Sequence, residues 1–177
     1  LKSSSDYNDL FLVNNVTGET VQVDQHFQAT THGVEQVVFS DGTVWDRTYL
    51  VANALMLGTN TSELLRGNAD AERIRGQAGN DTLLGNGGSD DYLFGADDGY
   101  DLVDEFGGAG DVDRIIFDAG VAPTDLLLTR GVFPASNNNT VFITNVVTGS
   151  VIEIDQQLSS TALGVEEIRF ADGTVWD

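Results

Sequence analysis

The chain has no cysteine, two prolines, one methionine and two histidines, and only 8 lysines and arginines stand against 28 aspartates and glutamates. Each scarcity removes a class of explanation. Without cysteine there is no disulfide framework, no thiolate zinc site and no cysteine nucleophile, which suits an exported bacterial protein that does not rely on disulfides. So few cations exclude nucleic acid and an anionic membrane surface as partners, since both call for clustered lysine and arginine. No apolar run approaches the length of about 18 residues expected of a membrane-spanning helix, and no basic-then-apolar signal segment opens the chain. A Gly-x-Ser-x-Gly elbow, a P-loop and a His-Glu-x-x-His motif are also missing, so no catalysis is expected in this chain. The opening residues, Leu1 to Asp9, read as the middle of something longer.

What is present is acid and glycine in a pattern. The formal net charge is −20, yet 41% of the residues are hydrophobic, which predicts a folded core rather than a disordered acidic tail. Residues 58–118 hold 14 of the 28 acids and 12 of the 20 glycines. Carboxylates packed that densely beside glycine turns repel one another unless a cation sits among them. Gly58, Gly67, Gly76 and Gly85 recur every nine residues, and Glu63, Glu72, Asp81 and Asp90 each follow five places later. Two places beyond each acid stands Leu65, Ile74, Leu83 or Tyr92, at the spacing that returns a strand side chain to the same face.

A longer repeat frames this region. Asn14–Asp46 matches Asn145–Asp177 at a constant offset of 131 residues, closest where Phe39-Ser40-Asp41-Gly42-Thr43-Val44-Trp45-Asp46 returns as Phe170-Ala171-Asp172-Gly173-Thr174-Val175-Trp176-Asp177. The parent protein therefore reads as an array. Each copy predicts antiparallel β: short β-prone runs flank Thr17-Gly18 and Thr148-Gly149, and hairpins turn at Asp41-Gly42 and Asp172-Gly173, where glycine accepts positive φ. Arg47–Leu57 reads as a short helix or as an extended strand leading into the nonapeptides, with helix favoured by its alanines and leucines. Ser136–Asn139 reads as an exposed loop.

The nonapeptides Gly76-Gln77-Ala78-Gly79-Asn80-Asp81-Thr82-Leu83-Leu84 and Gly85-Asn86-Gly87-Gly88-Ser89-Asp90-Asp91-Tyr92-Leu93 resemble the RTX repeats of haemolysin-type proteins, consensus G-G-x-G-x-D-x-U-x. Both depart from it at the second glycine, which is Gln77 and Asn86, and the two earlier copies carry glutamate for aspartate. Phe94–Val103 and Gly107–Ile115 are similar to closing repeats, with Asp101 and Asp113 two places before Val103 and Ile115. The flanks resemble the haemolysin-type calcium-binding related region through Gly164-Val165-Glu166-Glu167-Ile168-Arg169-Phe170 and Asp172-Gly173-Thr174-Val175-Trp176.

The resemblance implies an all-β chain, a calcium-loaded parallel β-roll of RTX nonapeptides flanked by antiparallel β hairpin units. Residues 1–47 would be the end of a preceding unit, 48–57 a linker or short helix, 58–118 the roll, and 119–177 a second β unit homologous to 8–46. Two nonapeptides per coil would stack Glu63 near Asp81, Glu72 near Asp90, Asp81 near Asp101 and Asp90 near Asp113. Calcium takes 6–8 oxygens, from carboxylates and from turn carbonyls that glycine lets point inward. The implied ligands are Asp81, Asp90, Asp101 and Asp113 first, then Asp98, Glu63 and Glu72, with Gly76, Gly79, Gly85 and Gly88 shaping the turns around two to four ions. The implied role is a calcium-binding structural module of a large secreted or cell-surface protein, exported by type I secretion and folding on calcium afterwards. The alternatives are a calcium-stiffened adhesion module that grips carbohydrate or a surface protein, and an accessory domain of a secreted enzyme. Trp45 and Trp176 either stack on sugar or pack their own hairpins. His26 and His32, replaced by Gln157 and Leu163 in the second copy, are poor catalytic candidates.

Overall fold

The computed structural model describes residues 8–28, 31–108, 110–131, 139–159 and 163–177. Most of the loop expected at Ser136–Asn139, and residues 1–7, lie outside that set. The chain forms two compact units, Leu1–Ala54 and Leu55–Asp177.

In the first unit β1 (Leu10–Val13) pairs antiparallel with β2 (Thr20–Val23), and β3 (Gln36–Val38) with β4 (Val44–Asp46). The Asp41-Gly42 hairpin forms as expected: Gly42 sits at φ 89°, and Asp41 Oδ1 accepts from Thr43 N–H at 2.9 Å. Helix α1 (Arg47–Asn53) starts at Asp46, whose Oδ1 accepts from Tyr49 N–H at 2.8 Å. It ends at Ala54, and the residues after it are extended. His26 is fully buried, and its Nδ1 accepts from Val34 N–H at 3.3 Å. Gln157 does the same for Val165 through Oε1 at 2.6 Å, which is why a histidine and a glutamine can exchange here.

The second unit is a coil. Its strands are β5 (Leu55–Leu57), β6 (Leu64–Arg66), β7 (Arg73–Arg75), β8 (Thr82–Leu84), β9 (Asp91–Phe94), β10 (Tyr100–Val103) and β11 (Arg114–Phe117). Odd strands pair parallel with one another, and so do even strands, so successive strands alternate between two sheets. The residues two beyond each acid, Leu65, Ile74, Leu83, Tyr92, Val103 and Ile115, are all fully buried and form the spine of the core. A 3-10 turn at Pro123–Asp125 leads into β12 (Leu126–Arg130), β13 (Val141–Asn145), β14 (Val151–Ile154), β15 (Glu167–Arg169) and β16 (Val175–Trp176). These do not stand apart from the coil. β14 runs parallel to β10 and β15 parallel to β11, so each six-stranded sheet mixes parallel rungs with an antiparallel end.

Close stacking of coils explains one glycine in particular. Gly99 sits at φ 106°, and a Cβ there would run into the carbonyl oxygen of Gly79 in the coil below. Both strain and overlap oppose any side chain. Gly99→Ala is expected to cost more than about 1 kcal/mol in urea unfolding, whereas Gly120→Ala, at an open position without positive φ, should cost little.

Candidate metal centre

The acids of the repeat line up in two ladders. Glu63 N–H donates to Asp81 Oδ1 at 2.8 Å, and Asp81 N–H to Asp101 Oδ1 at 2.8 Å. On the other turn stack Glu72 N–H donates to Asp90 Oδ1 at 2.7 Å, Asp90 N–H to Asp113 Oδ1 at 2.8 Å, and Asp113 N–H to Glu166 Oε2 at 2.8 Å. Each expected stacked pair is therefore brought together, and Glu166 extends the second ladder from the flanking unit. One carboxylate oxygen of each aspartate is spent on the neighbouring coil. The other oxygen is what a ligand can use.

For Asp81 and Asp90 that second oxygen, Oδ2, is buried and has no hydrogen-bond partner. A buried acceptor left unpaired costs about 1–3 kcal/mol, so a group that supplies a positive charge there is strongly favoured. Oδ2 of Asp81 and Asp90 fill the space where a Cβ on Gly76 and Gly85 would sit, which accounts for glycine at both positions. Gly79 and Gly88 hold φ of 148° and 108° in the same turns. Asp98 is placed differently. Its Oδ2 accepts from Gly95 N–H at 2.6 Å, so it shapes its own turn, as Asp111 does through Gly108 N–H at 2.6 Å.

The two glutamates at the start of the coil also accept local hydrogen bonds, although burial and then Asp90 push Glu72 up to about 8. Glu63 accepts from the backbone N–H and the hydroxyl of Thr59, and Glu72 from Asn68 N–H at 3.3 Å. Gln77 and Asn86, which stand where the repeat calls for glycine, keep positive φ of 70° and 75°. Their side-chain amides donate across to the carbonyls of Gly58 and Gly67. These departures from consensus thus tie turn to turn with amides.

The far end of the second stack is richer in charge. Asp90, Glu105 and Asp113 are all buried, with one carboxylate oxygen from each lying within 4.8 Å of the others. Strand pairing sets Val103 beside Leu83, which brings Glu105 level with Gly85, so the third turn carries a glutamate where the two before it have glycine. The Tyr92 hydroxyl accepts from Gly85 N–H at 2.7 Å and donates to Glu105 Oε2. Desolvation, with the neighbouring carboxylates adding to it, pushes Glu105 up to about 8, Asp113 to about 7 and Asp90 to about 6. Asp101 rises to about 7 for the same reason, with Asp81 and Asp98 adding repulsion; Asp81 is also raised, first by burial. Burial raises Tyr92 as well, so its hydroxyl stays protonated.

This donor set fits calcium. It offers hard oxygens only, a spacing compatible with metal–oxygen bonds of about 2.3–2.6 Å, and buried carboxylates that form no ion pair with lysine or arginine among the described residues. From sequence, Glu105 reads with Asp97, Asp104 and Asp118 as a solvated carboxylate; its full burial beside Asp90 and Asp113 overturns that, and Glu166 was not among the expected ligands. No repeat spacing marks Glu105; Glu166 stands two places before Ile168, as each ladder acid stands before its spine residue, but only strand register places it in the ladder.

The fold and site define an all-β protein whose stacked turns gather buried carboxylates able to hold a hard cation. Residues 9–49 and 142–177 each match the family model of the haemolysin-type calcium binding protein related domain, as the flanking motifs implied. Residues 58–118, with both ladders' aspartates, lie outside the two matched segments. No curated protein matches the chain. Among the described residues no helix is long and apolar enough to cross a membrane. Trp45 packs between Phe39 and Tyr49, and Trp176 against Phe170, so both tryptophans brace their own hairpins.

Proposed function

We propose that this chain is a calcium-binding structural module of a secreted or cell-surface protein, and that its coil is a calcium-loaded parallel β-roll. The observation that carries the reading is the pair of buried, unpartnered oxygens on Asp81 and Asp90. Calcium would be held by Asp81 with Asp101 on one turn stack and by Asp90, Glu105 and Asp113 on the other. Bound there, it supplies the positive charge that the buried carboxylates lack.

The chain's own residues do the rest. The ladders fix each carboxylate by one oxygen and leave the other toward the site. The spine of Leu65, Ile74, Leu83, Tyr92, Val103 and Ile115 keeps the rungs in register. Where calcium is scarce, like charges held close oppose the coil. Where it is plentiful, binding energy becomes folding energy, because the sites do not exist in the unfolded chain. Such a module is a switch read by compartment, and its carboxylates serve the metal rather than catalysis. Extracellular calcium modules work with Kd on the order of 10⁻⁴–10⁻³ M, the range that suits this role.

Far-UV circular dichroism in chelator, then through a calcium titration, tests it. A gain of β signal with calcium and not with magnesium is expected. A chain equally folded in chelator and in calcium would sink the proposal.

A further inference from the structure

The two β units share sequence but differ in what lies against them. In the second β unit, residues 119–177 of the larger compact unit, each hairpin lends one strand to the coil, β14 to β10 and β15 to β11. In the first unit the counterparts β2 and β3 pair, among the described residues, with β1 and β4 alone. The strand edge that carries a coil in one copy is open in the other.

Burial follows the same division. Phe142, Ile152 and Phe170 are each 5% exposed, while Phe11, Val21 and Phe39 at the matching positions are 40%, 60% and 38% exposed. Glu166 accepts from Asp113 N–H, and its counterpart Glu35 is exposed. Internal geometry is otherwise kept. Gln25 and Gln156 share φ of 54° and 55°, and Phe27 N–H and Leu158 N–H reach the carbonyls of Asn8 and Asn139 at 2.8 and 2.9 Å. The first unit is thus built like the second, with the surface that the second buries left open.

We propose that the β2/β3 edge of the first unit is a docking surface for the terminal rung of another parallel coil of the β10–β11 type. The seated copy specifies the occupant. It must present two parallel strands, one to each hairpin, with an aspartate whose N–H donates to Glu35 as Asp113 donates to Glu166. It must carry an aromatic to cover Phe39, as Phe117 stacks on Phe170 at 5.3 Å. It need not carry tyrosine or arginine at the positions of Tyr100 and Arg114. Those residues engage Glu153 and Glu167, and neutral Gln22 and Gln36 stand at the equivalent places in the first unit. The inference rests on strand pairing and holds whether or not the metal reading does.

The test supplies the occupant at the natural offset. Residues 48–131 are placed directly before Leu1 of the complete chain, which sets Gly131 where the 131-residue repeat requires it. Hydrogen exchange is then followed by mass spectrometry over 20–24 and 35–38, in calcium and in chelator. Exchange slowed on the order of tenfold or more relative to the 177-residue chain is expected, with protection lost when Val21→Asp and Phe39→Asp are introduced together. Val21 and Phe39 are both exposed in the single chain. Because Phe39 also packs on Trp45, the doubly substituted 177-residue chain must show unchanged exchange over 20–24 and 35–38 for the loss to be scored as undocking. Val21→Asp alone, read over 20–24, is the variant that leaves that ring pair intact. Unchanged exchange in the extended chain overturns the proposal, as does protection that survives both substitutions. Dimerisation of the 177-residue chain with the same amides protected would assign the edge to a second copy and overturn it too.

Discussion

Asp90→Asn is expected to stabilise the chain in chelator and to destabilise it in calcium. Asparagine keeps an oxygen to accept from Glu72 N–H, so the ladder survives the change. What it removes is a buried negative charge whose Oδ2 has no partner and which faces Glu72, Asp91, Asp111, Glu105 and Asp113. Without metal, relief of that repulsion should raise stability by about 1–2 kcal/mol, the scale of an unmet buried acceptor. With calcium the same change removes a ligand, and a hundredfold loss of affinity would lower stability at fixed calcium by about 2.7 kcal/mol. Thermal melts of both proteins under both conditions decide the matter. A purely structural aspartate predicts loss in each. Glu105→Gln should show the same reversal, since its amide oxygen can still accept from the Tyr92 hydroxyl while the buried charge is lost.

Acid should stand in for calcium. Unfolded carboxylates titrate near 4, but the folded coil holds Asp90 at about 6, Asp101 and Asp113 at about 7, and Glu72 and Glu105 at about 8. Each of these folded values is raised, so the folded state keeps protons that the unfolded state has released. The stabilisation is complete below pH 4 and lost as pH climbs through 6 to 8. Asp9, Asp41, Asp172 and Glu167 are held low by hydrogen bonds and pull the other way, but from the protein surface. In chelator, the melting temperature should therefore be higher at pH 5 than at pH 8, by on the order of 10 °C. Saturating calcium should reverse the order, because its ligands must be deprotonated. A chelated protein whose melting ignores pH over this window would refute the idea that these carboxylates are buried together.

Much of the coil was legible because each rung repeats one rule. An acid followed two places later by an apolar residue located Asp101 and Asp113 even where insertions broke the nine-residue spacing, and the spine residues are buried as that rule requires. Hairpin signals were equally readable, since glycine at Asp41-Gly42 and Asp172-Gly173 speaks for two strands that are neighbours in sequence. Those signals say nothing about a strand's other edge. The mixed sheets, in which β14 and β15 prolong the coil, could not be read for that reason. Nor could Glu105. Its meaning depends on facing Gly85 across a strand pair, and a glutamate that replaces glycine breaks a pattern rather than making one. Glu166, two places before Ile168, obeys the same rule, but its ladder partner lies 53 residues away and only strand register joins them. Of the alternatives for Arg47–Leu57, the favoured helix forms only as far as Asn53, and Leu55–Leu57 is strand, so neither covers the whole segment.

A stack of like units behaves as a one-dimensional lattice, in which the first contact between neighbours is dear and each further one is cheap. Gln77 and Asn86 join the first turns with neutral amides, a coupling that costs no charge and needs no ion. The seed of the lattice then lies at that end. If the coil loads calcium as proposed, the ion has only to propagate order toward Asp101 and Asp113, and assembly after calcium is added should be limited by zipping rather than by nucleation.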